Sequence, residues 1–358
     1  MAHRAQHSLL TYFPVPKFLE MPSVGIDISA SAVRFLEIYP SDDCMVVGKY
    51  DSLELKQEVD FSENILKNEE LRAILTSWKK KYKLSFVEAS LPEEKAYLFQ
   101  IDVPEGGDRE MRDSIEFRLE ENAPLSAAEA VFDFKIFGKS QKAGMQSAMV
   151  TVVPEKIAAA YTELLNSCGL TPVSFLMEAQ ALSKAIVPAG SDSTFFVIHM
   201  MKRKSVLFII KNSTVRFSSS IALGSDTLTD ALMKSLGKDR EEARTIKRTQ
   251  GFLKSKENVA LDILTAALQP LRDEIERIWI YWHTRKDEQA SDIQEVLLSG
   301  KDTHIPGIKE YLSESLRVPI SRANVWSNMC SFDEYVPIIP KEQASEFGVA
   351  IGLALPKL

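Results

Sequence analysis

From Val24 onward, short apolar runs are separated by small or polar turns. Val24-Gly25-Ile26-Asp27-Ile28 predicts a buried strand and Val33-Arg34-Phe35-Leu36-Glu37-Ile38 a second, joined into a hairpin by Ser29-Ala30-Ser31-Ala32. A third strand is predicted near residues 45–50. Leu71, Ile74, Leu75 and Trp78 then recur at helical spacing and predict a helix over residues 69–81. Val87-Glu88-Ala89-Ser90-Leu91 returns to strand, so the opening pattern is α/β.

The order changes near residue 96. A strand over 97–103, a helix over 108–122, strands over 131–137 and 146–153 and a helix from Pro154 to residue 168, closed by Gly169, predict a compact α+β unit. A strand at 173–175 and a helix at 178–186 follow, and Pro188, Gly190, Ser191, Asp192 and Ser193 give the strongest linker signal. Beyond it the opening pattern repeats as strands over 194–198, 205–211 and 214–223, with Asp226 expected to cap the next helix. In a long helix over 262–286, Ile275, Ile278, Trp279 and Trp282 fall on one core-facing stripe. Residues 296–300 predict a buried strand ending in Gly300, Pro306 begins another helix, and residues 344–354 predict a small-residue helix.

Composition narrows the classes. A chain of 358 residues is long for one core, and 45% hydrophobic with 26% charged residues is ordinary for a folded globule. A formal net charge of -7 argues against nucleic acid as a partner. Cys44, Cys168 and Cys330 are widely spaced and odd in number, which predicts a reducing, cytosolic setting. The run Ser205-Val206-Leu207-Phe208-Ile209-Ile210 falls far short of the roughly 20 residues of a membrane span. Residues 1–22 hold Leu9, Leu10, Phe13, Phe18 and Leu19, but Pro14 and Pro16 interrupt any long helix, so an extension folded back on the body is expected. His3, His7, His199, His283 and His304 show no zinc spacing; neither a Gly-x-Ser-x-Gly elbow nor a Walker loop occurs. The acids from Glu116 to Glu121 read as a solvated helix face.

Several segments in order resemble one family. Gly25-Ile26-Asp27-Ile28-Ser29-Ala30-Ser31-Ala32-Val33-Arg34 is similar to the first phosphate loop of the type IV pilus assembly protein PilM family, relatives of the cell-division protein FtsA. Glu116-Phe117-Arg118-Leu119-Glu120-Glu121-Asn122-Ala123-Pro124-Leu125, Met177-Glu178-Ala179, Gly224-Ser225-Asp226-Thr227-Leu228-Thr229 and Leu297-Leu298-Ser299-Gly300 with Ile305-Pro306-Gly307 resemble it further. The resemblance implies an α/β, actin-like (ribonuclease H-like) two-lobed fold with an inserted small α+β domain. Its boundaries would be an N-terminal extension at 1–22, the first lobe at 23–95 and 171–190, the inserted domain at 96–170, the second lobe at 191–340 and a C-terminal helix at 341–358.

The same resemblance nominates a nucleotide site. Asp27 would hold magnesium through water, Ser29 and Ser31 would lie at the phosphate loop, and Lys247 and Gly300 would face the nucleoside; in an active enzyme Glu178 or Gln180 would orient water. The chain departs from the family pattern at several of these places. Ser29 stands where a glycine is usual, His199-Met200-Met201 replaces an Asp-Ile-Gly tip and is followed by Lys202-Arg203-Lys204, Lys301 and Asp302 replace a glycine-rich loop, and Arg244 stands where an acid would fall. A degenerate site is therefore expected, one that has lost ATP and magnesium or binds them only very weakly, with enzymatic activity at most vestigial. An active Mg-ATPase is the alternative. A membrane tether resembling FtsA is a weaker one, because the chain ends Leu353-Ala354-Leu355-Pro356-Lys357-Leu358 with one cation.

By the same resemblance the chain is a cytoplasmic scaffold at the inner face of the membrane. It would bind the cytosolic tail of a single-pass, PilN-like inner-membrane pilus protein and link it to the pilus motor ATPase platform, or to a related secretion or uptake machine. It would meet the membrane only through partners, with homo-oligomerisation left open. The tail would lie between the first lobe and the inserted domain. Strand residues Phe99, Ile101 and Val103 and helix residues Ile115, Phe117 and Leu119 are the candidate lining, unless they fill that domain's own core.

Overall fold

The structure is a computed structural model, and it describes residues 23–41, 44–284, 292–316, 318–329 and 331–356. The expected N-terminal extension, the end of the long helix at 285–286, Cys330 and residues 357–358 lie outside the described residues. Strands β1 (Ser23–Ser29), β2 (Ala32–Ser41) and β3 (Cys44–Glu54) form a meander, followed by helix α1 (Glu69–Tyr82) and strand β4 (Phe86–Leu91). Asn68 caps α1 by accepting a 2.9 Å hydrogen bond from the Leu71 N–H. Strand β3 runs to Glu54, beyond the predicted end near residue 50, because it pairs with β2 back to the hairpin, Glu54 opposite Ala32.

The inserted unit comprises β5 (Tyr97–Pro104), α2 (Asp108–Phe117), α3 (Leu119–Asn122), β6 (Ala130–Lys139) and β7 (Met145–Pro154). The single helix expected over 108–122 is broken at Arg118 (φ -106°, ψ 10°). There the Asn122 side chain takes the Arg118 carbonyl at 2.9 Å, and the Arg118 guanidinium reaches the Ser114 hydroxyl at 3.0 Å. Pro154 ends β7 rather than opening the next helix, α4 (Glu155–Ser167), which closes at Gly169 with φ +76°. Strand β8 (Thr171–Met177) and helix α5 (Glu178–Ile186) return the chain to the first sheet.

The second half contains β9 (Thr194–Met200), β10 (Ser205–Lys211), β11 (Thr214–Ile221), α6 (Ser225–Leu236), α7 (Arg240–Thr249), α8 (Leu261–Thr284), β12 (Glu295–Gly300), α9 (Ile308–Leu316) and β13 (Ile320–Arg322). Helices α10 (Lys341–Ala344) and α11 (Gly348–Ala354) complete the described order. Asp226 does not cap α6: it lies in the first turn, and Gly224 is the capping residue.

The repeat noted in the sequence is a repeat of topology. One sheet has the order β3-β2-β1-β4-β8, the other β11-β10-β9-β12-β13, and the inserted unit has a separate sheet β5-β7-β6. The period-two alternation of each strand then sorts side chains into layers. Ile26, Ile28 and Phe35 pack outward against Leu75 and Trp78 of α1 and Leu164 of α4. Leu36 and Ile38 face inward to a core shared with Val197 and Phe208 of the second sheet. Phe196 and Ile198 face outward to Leu264, Leu271 and Ile275 of α8.

The shared core between the sheets is built on α5 and α11. Every residue of α11 is buried, so the helix is apolar all round because it is enclosed all round. A side chain at Gly352 would strike the Ala181 backbone of α5, and one at Gly25 would strike the Ala350 carbonyl. Both glycines are thus required by close approach. The small-residue helix predicted at the C-terminus packs into the core between the two halves, and it offers no amphipathic face to a membrane. Among the described residues no helix is long and apolar enough to cross a membrane.

Cys168 is a buried free thiol, whereas Cys44 is disulfide-bonded.

Candidate functional site: a latched cleft and an open groove

The two hairpin tips, β1–β2 and β9–β10, meet at the mouth of the cleft between the halves. Asp27 is 2% exposed. It accepts a 3.0 Å hydrogen bond from the Ser90 hydroxyl, and the guanidinium of Arg34 lies 3.9 Å away. Burial pushes its carboxyl above the ordinary range, with Arg34 and Ser90 opposing. Arg34 also binds Glu346 at 2.7 Å, so an internal cation, held from two sides, stands beside Asp27. Ser29 turns back to the Ala32 carbonyl at 2.8 Å, and the Ser31 carbonyl accepts from Leu55 at 2.9 Å.

In the basic tip Lys202-Arg203-Lys204 the two lysines are largely withdrawn from solvent, Arg203 stays half-exposed, and all three meet acids of the first lobe. Lys202 binds Glu54 at 2.9 Å, Arg203 pairs with Glu58, and Lys204 binds Glu178 at 2.8 Å and Glu94 at 2.5 Å. Lys301 reaches the same Glu54 at 3.0 Å. These bonds join the halves, making the tip a latch. The N-terminal N–H groups of α6 are also occupied: Ser225 donates to the Met201 carbonyl at 2.9 Å and Asp226 to the Lys202 carbonyl at 2.8 Å.

Glu178 is 1% exposed, and only one of its oxygens is paired with Lys204; Oε1 is buried without a partner. Burial, with Glu94 and Asp27 nearby, outweighs Lys204 and raises its carboxyl to about 7. His199 is buried at the cleft base with Nδ1 unpartnered, and desolvation pushes its imidazole down to about 3, so it is neutral. Gln180 is turned away: it accepts from the Met177 N–H at 3.1 Å and donates to Thr151 at 2.8 Å. The expected water-orienting pair is therefore split, with Glu178 in the latch and Gln180 at the seam with the inserted unit.

On the nucleoside side, Lys247 is 4% exposed and binds Asp302 at 3.0 Å and the Ser225 hydroxyl at 2.8 Å. Arg244 pairs on its own helix with Glu241 at 2.7 Å. Gly300 has φ +96°, and a Cβ there would run into the Met200 carbonyl, so its glycine serves the backbone bend. The space left among Asp27, Arg34, His199, Met201, Lys202 and Lys301 is about 30 Å³. That suits one or two waters, against roughly 300–1,000 Å³ for ligand pockets. The residues present do not fit a magnesium-bound triphosphate in this arrangement.

A second concavity lies between the inserted unit and the first sheet, with a volume of about 440 Å³. Leu91, Met149, Val153, Phe175 and Met177 supply apolar lining, and Asp133, Lys135 and Lys184 supply charge. Strand β6 is an edge of the small sheet and β8 an edge of the first, so two strand edges border the groove. Lys135 closes one end by donating to the Ser213 carbonyl at 3.3 Å.

The expected lining lies elsewhere. Ile101, Val103, Ile115 and Leu119 are the core of the inserted unit; Phe99 packs partly against that core, and Phe117 is 87% exposed on the outer surface. Alternation located the apolar positions but not the open side. The residues that sequence reasoning missed are Arg34, Glu54, Glu58, Glu94 and Glu346 in the latch and the β6 and β8 residues in the groove. The one local signal was the basic run at 202–204; of its acids, Glu54, Glu58 and Glu94 lie far back in the chain, and Glu178 lies 26 residues before Lys204.

Two sheets of the same strand order facing each other across two buried helices, with an extra unit inserted in the first, define an actin-like, two-lobed protein. The chain belongs to the type IV pilus assembly protein PilM family, whose sequence profile matches residues 25–358. A PilM-PilN type IV pilus biogenesis complex superposes on it with a TM-score of 0.75 at 20% identity, covering 95% of this chain and 98% of the other. MreB5 of Spiroplasma citri bound to ADP is similar with a TM-score of 0.54 at 13% identity, over 94% of this chain and 95% of that one. The ethanolamine utilization protein EutJ from Carboxydothermus hydrogenoformans gives 0.53 at 13% identity, over 95% and 90%. No curated protein sequence matches the chain significantly.

Proposed function

We propose that the protein is a cytoplasmic scaffold of the pilus inner-membrane platform, holding the cytosolic tail of a PilN-like membrane partner in the groove between the inserted unit and the first lobe. The observation that carries this reading is the pairing of an open apolar groove with two strand edges. Unpaired N–H and C=O groups along β6 or β8 suit an extended segment, and Phe175 and Met177 offer apolar seats for its alternate side chains. The family and the related complex with PilN support the choice of partner. The test is calorimetric titration with a synthetic tail peptide of the PilN-like protein encoded beside this chain. Binding that is lost on Val131→Asp, at the half-exposed groove wall, supports the reading. Undiminished binding to the variant, or none to the wild type, rejects it.

The second part of the proposal is that the cleft no longer works as an ATPase site. Its carboxylates and lysines satisfy one another, and a triphosphate would have to break at least the Lys202, Lys204 and Lys301 pairs. Titration with millimolar ATP and magnesium should give no binding heat. Micromolar binding abolished by Asp27→Ala would favour the enzyme instead.

A further inference from the structure

We propose that the end of the first lobe formed by α1 and the start of β4 is a docking surface for an anionic phospholipid bilayer, so that the protein meets the membrane directly as well as through a partner's tail. The chain as a whole is acidic, at -7, but its cations are not evenly spread. Lys79, Lys80, Lys81 and Lys83 fall within five residues at the C-terminal end of α1, with Arg72 two turns earlier on the same helix.

Structural duties account for some of this charge. Lys49 donates to the Tyr82 carbonyl at 3.2 Å and lies 3.7 Å from Glu37, and Lys81 lies 3.7 Å from Asp51. Lys79 donates to the Leu84 carbonyl at 2.5 Å, which completes the helix end but cancels no charge. Among the described residues, Arg72, Lys79, Lys80 and Lys83 have no carboxylate within salt-bridge distance. Acids elsewhere on the chain are screened beyond a Debye length of about 8 Å at physiological salt.

The second observation is independent of charge. Phe86, three residues past Lys83, is 50% exposed, and Val173 is 64% exposed. The two strands are held side by side, with Phe86 opposite Thr171 and the Thr171 N–H on the Ser85 carbonyl at 2.8 Å. A shallow depression lined by Arg72, Ala73, Thr76, Ser77, Lys80 and Lys81 adds hydroxyl and small side chains between the cations. Cations that draw the surface to phosphate headgroups, beside an aromatic that enters the interface, suit an anionic lipid surface. An acidic protein would be drawn by the charges but gives no account of an exposed Phe86 and Val173 flanking them.

The groove and this surface are two ends of one strand. Thr171 lies at the basic end of β8, and Phe175 and Met177 line the groove. A partner's tail held along β8 and leaving toward Thr171 would run straight to the bilayer that this end contacts; this last point rests on the groove reading, whereas the surface itself does not.

The test is co-flotation of the whole chain, without any partner, with vesicles of 30% phosphatidylglycerol in phosphatidylcholine and with vesicles of phosphatidylcholine alone. The expected result is enrichment on the anionic vesicles that weakens with salt. Lys80→Glu with Lys83→Glu should lower it at least about tenfold, and Phe86→Ser by a smaller factor, with the melting temperature unchanged because all three side chains are exposed. Equal behaviour on both vesicle types overturns the proposal. So does anionic binding that survives the double charge reversal. Because no tail peptide is present, either failure leaves the groove reading intact, and failure of the peptide titration leaves this surface intact.

Discussion

The cleft between the two lobes and the groove beside the inserted unit are both concave, yet they differ in charge and in the space they leave. In the cleft, acidic and basic side chains arrive from both sides in matching positions, and the remaining cavity is about 30 Å³. In the groove two strand edges face a cavity of about 440 Å³ with an apolar floor. In the cleft, ion pairs join the two halves, and the larger open space lies at the seam with the insertion, where the proposed function places the partner's tail. The actin-like frame therefore does not say where the ligand goes; the state of its polar groups does.

The largest expected effect comes from opening the latch. At pH 8, where Glu178 is ionised in the wild type, Lys204→Ala removes the counter-ion of this carboxylate, which is 1% exposed, and should cost about 3–5 kcal/mol in urea unfolding. A loss below about 1 kcal/mol would mean that the latch is not closed in solution. Next in size is the groove. Val131→Asp should weaken tail-peptide binding at least about tenfold, roughly 1.4 kcal/mol, while leaving unfolding close to wild type. If both properties fell together, the comparison between a structural cleft and a binding groove would collapse.

The pH dependence of stability sharpens the contrast further. Glu178 has its folded value raised to about 7 from 4.5, so the folded state holds the extra proton between those values, and stability falls as pH rises through that window. His199 has its folded value lowered to about 3 from 6.5, so its contribution is present above 6.5 and is lost as pH falls toward 3. The two opposing slopes cancel where the windows overlap, so the most stable range falls at about pH 4.5–6.5. Melting temperature followed against pH should lose its alkaline decline in Glu178→Gln and its acid decline in His199→Phe. Unchanged profiles would show that neither group feels the cleft. Smallest of all is Glu54→Gln. Its carboxyl is held down near 2 by Lys202 and Lys301, but its side chain is 54% exposed, so the change should cost less than about 1 kcal/mol and shrink with salt.

Much of this frame was readable along the chain because strands and helices announce themselves locally. Continuous apolar runs marked β9 and β10, helical spacing marked Leu71, Leu75 and Trp78, and the element order carried the repeat. The latch was not readable, because Glu54 meets Lys202, and Glu178 meets Lys204, only after two separate sheets have been built and brought face to face. Departures such as His199 and Lys301 signalled that the nucleotide pattern was broken, yet they did not say that Lys301 would be spent on Glu54. The groove failed for a different reason. Ile101 and Val103 form an apolar strand face, but which face a helix covers, and which strand ends at an edge, is set by the order β5-β7-β6 rather than by any residue. Phe117, expected in the groove, is solvent-exposed because α2 ends there and the break at Arg118 turns the next helix.

Hydrogen exchange, followed across the chain with a saturating tail peptide and in parallel with millimolar ATP and magnesium, separates the two regions in one measurement. The account predicts slowed exchange along β6 and β8 with the peptide, and no change at the β1–β2 and β9–β10 tips with nucleotide. Protection of those tips by nucleotide, with the groove strands silent toward the peptide, would contradict it.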